Sequence, residues 1–104
     1  MPEWIAACAV ADVDPEDVIP FRYDGVDYAI YRSPQNEFFA TAGHCTHERM
    51  LLCDGLVMDH TIECPKHNGR FDYTTGKAAG APVLVDLKTF RVKVEDGTVY
   101  LGIG

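Results

Sequence analysis

The chain has 104 residues, 47% of them apolar, which suffices for one hydrophobic core and leaves no room for a separate catalytic domain. Its net charge is −7, and residues 1–37 carry most of it, with eight acidic residues against Arg22 and Arg32. Phosphate binding needs clustered Lys and Arg, so this charge excludes nucleic acid as the expected partner.

The sequence has no apolar run of about 18 residues, the length that a membrane span needs, and its N-terminus lacks a signal-peptide pattern. We therefore expect a cytoplasmic protein, a single domain over residues 1–104, that does not bind membranes. In that compartment the four cysteines would stay reduced rather than form two disulfides.

Short apolar runs separated by turn residues predict an all-β chain, a small antiparallel sandwich or partial barrel. Asp24-Gly25 predicts a tight hairpin, and residues 12–17 form an acidic turn. Trp4 and the pair Phe38-Phe39 are expected in the core. The predicted strands cover residues 4–8, 18–23, 26–32, 38–42, 56–58, 61–63, 71–73, 87–95 and 98–103.

The predicted strands at residues 87–95 and 98–103 have a clear period of two, which indicates one buried face. In residues 87–95, this period directs Phe90, Val92 and Val94 to one side. The hairpin of residues 56–63, with its turn at Asp59-His60, leads directly to Cys64 and is expected at one end of the larger sheet.

Two Cys-His pairs form the most informative motif: Cys45-Thr46-His47, then sixteen residues, then Cys64-Pro65-Lys66-His67. Short spacing within each pair lets one loop present two ligands, and the hairpin between the pairs can bring both loops to one centre. Thiolate and imidazole ligands suit iron–sulfur clusters or zinc.

A Cys2His2 structural zinc site is the alternative. Zinc fingers place both Cys before both His, whereas here the pairs are mixed, so the ordering favours iron–sulfur. Cys8 and Cys53 lie outside the motif and are interpreted as small apolar residues that fill space. His44 and His60 are interpreted as solvated loop residues.

The motif resembles that of the Rieske ferredoxins that serve bacterial ring-hydroxylating oxygenases, and the C-T-H-E and C-P-K-H-N-G strings are similar to those of ferredoxins of rhizopine catabolism. The resemblance implies the Rieske fold, with cluster-binding loops within residues 43–82. It further implies one Rieske [2Fe-2S] cluster, with Cys45 and Cys64 on one iron and His47 and His67 on the other. Further shared residues are Gly55, Leu56, Glu63, Pro65, Gly69, Phe71, Thr75, Gly76, Lys77 and Pro82, the last covering the cluster from a third loop.

The resemblance also implies the function. The protein would be an electron carrier and not itself an enzyme, a monomer that takes an electron from a flavin-containing reductase and passes it to a terminal oxygenase. The alternative is a small Rieske subunit of a larger oxidoreductase, such as an assimilatory nitrite reductase.

High-potential members of that family carry an extra Cys in each ligand loop, and a Ser and a Tyr beyond the second His. Here Met50, Lys66, Arg70 and Asp72 occupy these positions. The missing hydroxyls would leave the reduced cluster less stabilised, so we expect a potential near the low end of the Rieske range, about −150 mV. Arg49, Lys66 and Arg70 form a basic rim or are merely scattered charges, and the acidic residues Asp14 and Glu16 would lie away from the cluster.

Overall fold

A computed structural model describes residues 3–46, 50–65, 69–79 and 85–103. In that part of the chain the regular structure is β-sheet with two short 3-10 turns, Val10–Asp12 and Leu52–Asp54, which confirms the all-β prediction. The strands are β1 (Glu3–Ala9), β2 (Asp17–Tyr23), β3 (Val26–Arg32), β4 (Phe38–Ala42), β5 (Leu56–Met58), β6 (Thr61–Glu63), β7 (Arg70–Asp72), β8 (Thr89–Glu95) and β9 (Thr98–Ile103).

The strands form two antiparallel sheets of different size. The larger sheet has the order β1-β9-β8-β4-β3-β2, so the first strand joins the last and β4 joins β8 across the ligand-loop region. The smaller sheet has the order β5-β6-β7 and contains the hairpin that precedes Cys64. Strand ends differ from the predictions by one or two residues: β7 begins at Arg70 and β8 at Thr89.

Asp-Gly pairs make the two tight turns of the larger sheet. Asp24 and Gly25 have φ angles of 51° and 76°, and Asp96 and Gly97 have 50° and 78°. Both central residues of a type I′ turn need positive φ, and this turn matches the twist of the flanking strands. The hairpin predicted at Asp24-Gly25 is therefore confirmed.

Two buried clusters divide the core. One lies within the larger sheet and includes Ile30, Val99 and Leu101. The other joins the two sheets, because it combines Tyr31 of β3 with Leu52, Ile62 and residues around β7. The Tyr31 and Tyr73 rings stack in this second cluster, with centroids 4.5 Å apart and planes 2° from parallel.

The core predictions for aromatic and apolar residues are partly confirmed. Phe38 and Phe39 pack against different clusters, as expected for neighbours on a strand. Trp4 was predicted in the core, but it is 37% exposed, because β1 is an edge strand and Lys93 Nζ lies 4.7 Å from its ring on the outer face. Val94, next to the β8–β9 turn, is also exposed, in contrast to the half-buried Val92.

Tyr73 and Tyr31 should make the fold sensitive to alkaline pH. Burial, with the charges of Asp59 and Glu16, raises the pKa of Tyr73 to about 12, and burial also raises the pKa of Tyr31. Unfolded tyrosines ionise at about pH 10, so above that pH the unfolded chain releases protons that the native chain retains. The free energy of unfolding should therefore fall above about pH 10, by up to about 1.4 kcal/mol per pH unit for each tyrosine.

Urea titrations between pH 8.5 and 11.5 measure this slope. Tyr73→Phe should flatten it, whereas Tyr23→Phe, at an exposed position, serves as the control and should leave it as in the parent protein. Equal slopes in the parent and in Tyr73→Phe would contradict the assignment.

Gly55 is required where the smaller sheet begins. A Cβ at this position would overlap the carbonyl oxygen of Glu63, on the paired strand β6, and come within 3.1 Å of the Leu52 carbonyl. Since backbone atoms cannot move aside as a side chain can, we expect Gly55→Ala to lower the free energy of unfolding by about 1–3 kcal/mol.

Gly25→Ala is the comparison in the same thermal unfolding experiment. Gly25 has no atom near its virtual Cβ but has φ +76°, so this substitution costs only the backbone strain, about 1 kcal/mol. A Gly55→Ala variant as stable as Gly25→Ala would show that strands β5 and β6 separate easily.

Candidate metal centre

The first ligand loop leaves β4 and returns to the 3-10 turn that begins at Leu52. Gly43 lies against β3: its N–H donates to the Asp27 carbonyl at 2.9 Å, and a Cβ on it would be 2.8 Å from the carbonyl carbon of Asp27. The Leu52 N–H donates to the Gly43 carbonyl at 2.8 Å, and His44 bridges to Leu51. These contacts hold both ends of the loop next to the larger sheet.

The second ligand loop connects β6 to β7 in the smaller sheet. Its ends are fixed by strand pairing, because Ile62 faces Phe71 and Glu63 faces Arg70 across the two strands. Cys64 follows β6 directly, so its position is set by the sheet rather than by the loop alone.

The same kind of hydrogen bond closes both loops. The Cys45 N–H donates to the Met50 carbonyl at 3.0 Å, and the Cys64 N–H donates to the Gly69 carbonyl at 2.6 Å. In each case a cysteine binds the residue five positions later, and each closed loop contains one motif histidine. His47 and His67 themselves lie outside the described residues, as do Arg49, Lys66 and Pro82.

Both motif cysteines are buried in the cluster that joins the sheets. Cys45 is 5% exposed and Cys64 is 3% exposed, and neither is in a disulfide. Leu52, Ile62 and Phe71 belong to the same cluster, so apolar side chains shield the two sulfurs from water. Two buried cysteines in one dry cluster, each beginning a closed loop, fit the thiolate half of an iron–sulfur site.

The two remaining cysteines are in different surroundings. Cys8 packs against the cluster of the larger sheet and Cys53 against the edge of the joining cluster. Burial raises the pKa of both thiols, and the nearby carboxylates Asp12 and Asp54 raise it further. A raised pKa disfavours the thiolate that binds metals, and the packing of both side chains against apolar clusters supports the interpretation as space-filling residues.

Charged residues near the second loop are paired. Arg70 lies 3.6 Å from the Glu63 carboxylate, and the Glu63 side chain is only 16% exposed. The Asp72 carboxylate accepts hydrogen bonds from the Thr74 N–H and hydroxyl at 2.9 and 2.6 Å. The Arg70 charge is thus largely offset by Glu63, and Asp72 stabilises a turn.

The prediction that His44 and His60 are solvated loop residues is wrong in part. Both side chains are more than half buried: His44 Nε2 lies 3.7 Å from the Asp27 carboxylate, and the His60 ring packs edge-on to Tyr73. Their contacts cross from one element to another, which residue type and local sequence do not reveal.

Sequence reasoning also missed two residues that connect loops. The Thr46 hydroxyl donates to the Val85 carbonyl at 2.6 Å, which ties the first ligand loop to the segment after Pro82. The Asp86 carboxylate accepts from the Ala78 N–H at 2.9 Å and so joins the two flanks of residues 80–84. The position of Thr46 within the motif could have indicated its role. No sequence pattern indicated the role of Asp86.

Among the residues that the structure describes, no group of three or more His, Cys, Asp and Glu could by itself hold a metal ion. Within the same residues, the helices are too short and too polar to cross a membrane.

Known proteins are similar to this chain over almost its whole length. The ferredoxin component of the naphthalene 1,2-dioxygenase system of Pseudomonas putida is 40% identical over 101 residues, which cover 97% of this chain and 96% of the relative. The ferredoxin of Sphingomonas yanoikuyae B1 has the same fold, with a TM-score of 0.91 at 33% identity, covering 98% of this chain and all of that one.

A third similar protein comes from a complex of reduced oxygenase and oxidised ferredoxin in carbazole 1,9a-dioxygenase. It has a TM-score of 0.90 and 36% identity, and the match covers 95% of this chain and 92% of that one. A nitrite reductase small subunit from Mycobacterium tuberculosis, at 18% identity and a TM-score of 0.89, covering all of this chain and 97% of that one, shows a shared fold only.

The sequence model of the protein family described as the Rieske [2Fe-2S] domain matches residues 3–91. This match identifies the cofactor as a Rieske-type [2Fe-2S] cluster, in place of the zinc alternative, and the relatives are electron-transfer components rather than enzymes. With two buried cysteines opening two matched loops, the chain belongs to the Rieske [2Fe-2S] family, among the ferredoxin components of ring-hydroxylating dioxygenase systems.

Proposed function

We propose that this protein takes one electron at a time from a flavin-containing reductase and delivers it to the terminal oxygenase of a ring-hydroxylating system. The observation that carries the proposal is the pair of loops closed at Cys45 and Cys64, with both sulfurs in one dry cluster. It is supported by similarity to a ferredoxin that was found in complex with the oxygenase of carbazole 1,9a-dioxygenase.

Cys45, His47, Cys64 and His67 would hold the cluster, which supplies the one-electron chemistry when it is bound. The described residues keep the two sulfurs in place. The loop closures fix the backbone of Cys45 and Cys64, and Leu52 and Ile62 exclude water from the inner side. The Thr46–Val85 bond keeps Val85 next to the first loop.

The proposal also includes the compartment, the oligomeric state and the domain organisation of the protein. We infer a cytoplasmic monomer that forms one domain over residues 1–104. None of the described cysteines Cys8, Cys45, Cys53 and Cys64 is in a disulfide, as expected in a reducing compartment. The names of the relatives favour an aromatic substrate for the oxygenase, while the narrower resemblance to ferredoxins of rhizopine catabolism stays a prediction.

Cysteine substitutions test the ligand assignment and the function together. Purified protein should contain two irons and two acid-labile sulfides per chain, the composition of a [2Fe-2S] cluster. Cys45→Ser should lose them, because a serine alkoxide is a harder ligand than a thiolate. Without the cluster, the variant should not support product formation in an assay with NADH, a ferredoxin reductase and a naphthalene dioxygenase-type oxygenase.

Cys8→Ser and Cys53→Ser are the matched controls, since the same atom is exchanged outside the two loops. Both should keep iron, sulfide and activity close to those of the parent protein. Stoichiometric zinc without sulfide would contradict the cluster assignment. Full cluster content without electron delivery to any oxygenase of this type would contradict the function alone.

The reduction potential should respond to Glu63. This carboxylate belongs to the residue before Cys64, is mostly buried, and adds negative charge where reduction adds another. Glu63→Gln removes that charge and leaves Arg70 unpaired, so the potential should rise from about −150 mV by on the order of tens of millivolts.

Protein-film voltammetry or a dye titration measures this shift. Glu95→Gln is the control, because Glu95 lies at the end of β8 opposite to Thr89, the residue that pairs with β4 near the first loop. A parent potential well above zero, or equal shifts in the two variants, would contradict the role given to local charge.

A further inference from the structure

In the turn of the β5–β6 hairpin, the backbone N–H and the backbone carbonyl of Asp59 are both hydrogen-bonded to side chains. The Asp59 N–H donates to the Glu16 carboxylate at 2.8 Å, and the Asp59 carbonyl accepts from the Tyr73 hydroxyl at 2.5 Å. The opposite end of the same hairpin leads into Cys64. One end of this short element is thus anchored, and the other end carries a ligand loop.

Both groups that hold Asp59 connect it to the larger sheet. Glu16 belongs to the turn that immediately precedes β2, 43 residues from Asp59 in sequence. Tyr73 is fully buried, and its ring stacks on Tyr31 of β3. The turn is therefore fixed to the larger sheet directly through a side chain and indirectly through an aromatic stack.

The backbone around this contact is specialised. Glu16 has φ 57° and Asp59 has φ 53°, a left-handed conformation that non-glycine residues adopt uncommonly. Such conformations persist where surrounding contacts determine them. Two of them facing each other across one hydrogen bond indicate a defined docking geometry rather than a chance approach of two surface loops.

The hairpin is short enough to transmit movement from one end to the other. Each strand has three residues, a length of about 10 Å. All three residues of β6 are paired on both sides, with β5 and with β7. A shift at Asp59 should therefore tilt the unit and displace the Cys64 end, because the paired strands cannot deform independently.

We propose that Glu16 is a positioning residue, which fixes through the backbone of Asp59 the angle at which the ligand-bearing hairpin sits on the larger sheet. The inference rests on the proposed function only in assigning the cluster to the Cys64 end. It distinguishes Glu16 from its acidic neighbours. Asp14, in the same turn, is exposed and has no hydrogen bond or ion pair with the described residues.

Three variants of the holoprotein separate positioning from charge. Glu16→Ala removes both the acceptor and the charge, Glu16→Gln keeps an amide oxygen that accepts a hydrogen bond, and Asp14→Ala removes an equal charge from the same turn. Hydrogen exchange by mass spectrometry of the peptide that covers residues 56–64 reports on the hairpin. Visible circular dichroism and the electron paramagnetic resonance of the reduced protein report on the cluster.

Glu16→Ala should accelerate hairpin exchange roughly tenfold, since a hydrogen bond to a charged group is lost, and should change the cluster spectra. Glu16→Gln should restore most of both properties, and Asp14→Ala should match the parent protein. Tyr73→Phe keeps the aromatic stack and removes the hydroxyl that binds the Asp59 carbonyl. It should therefore change the hairpin exchange and the cluster spectra in the same way as Glu16→Ala. This second variant keeps the test valid if Glu16→Ala is difficult to purify.

Two results would overturn the proposal. One is a Glu16→Ala variant with the exchange and spectra of Asp14→Ala. The other is equal spectral change in all three variants, which would show a pure charge effect. Iron and sulfide analysis keeps this test apart from the proposed function: protein without a cluster would contradict the function, while the exchange data would still decide whether Glu16 holds the hairpin.

Discussion

The contact between the two sheets is the constraint on which the site depends. A sheet of three strands with three residues each is too small to bury enough apolar surface to be stable alone in water. It is stabilised because Ile62 and Phe71 pack, with Tyr31 and Leu52, into one cluster that both sheets share. Cys45 and Cys64 lie in this same cluster, so the packing that stabilises the small sheet also brings the two loops together.

This arrangement explains why the loops themselves can be short. Each begins at a buried cysteine, and one hydrogen bond from the cysteine N–H closes it five residues later. The backbone next to the loops is also fixed by close packing. Gly43 lies against the Asp27 backbone, and Gly55 lies against the Glu63 carbonyl. Any side chain at these two positions would separate a ligand loop from its support.

Local sequence predicted most of the fold because most of its signals are local. Alternation indicated the strands, Asp24-Gly25 the first tight hairpin, and Cys-His spacing the loops. The exposure of Trp4 could not be predicted, since it depends on β1 being an edge strand paired with β9, the last strand of the chain. The contact of Glu16 with Asp59 spans 43 residues and involves a backbone group, so residue type gives no indication of it.

Local contacts decide how much free positive charge the described residues contribute. In the described part of the chain, several cations are already engaged: Arg22 with Asp27, Arg70 with Glu63, and Lys93 with Glu95. Arg32 donates to the carbonyls of Val10 and Val13, beside the acidic turn, and is engaged with backbone rather than with an acid.

The acidic excess of residues 1–37 is consequently not compensated by Arg32, and Arg70 contributes little free positive charge near the second loop. The acidic excess therefore gives a negative field around the part of the larger sheet that residues 1–37 form. Such a field orients a cationic partner and accelerates its association without adding contacts at the cluster. Long-range charge would then affect the rate of association. The angle of the smaller sheet on the larger one would instead affect the position of Cys64.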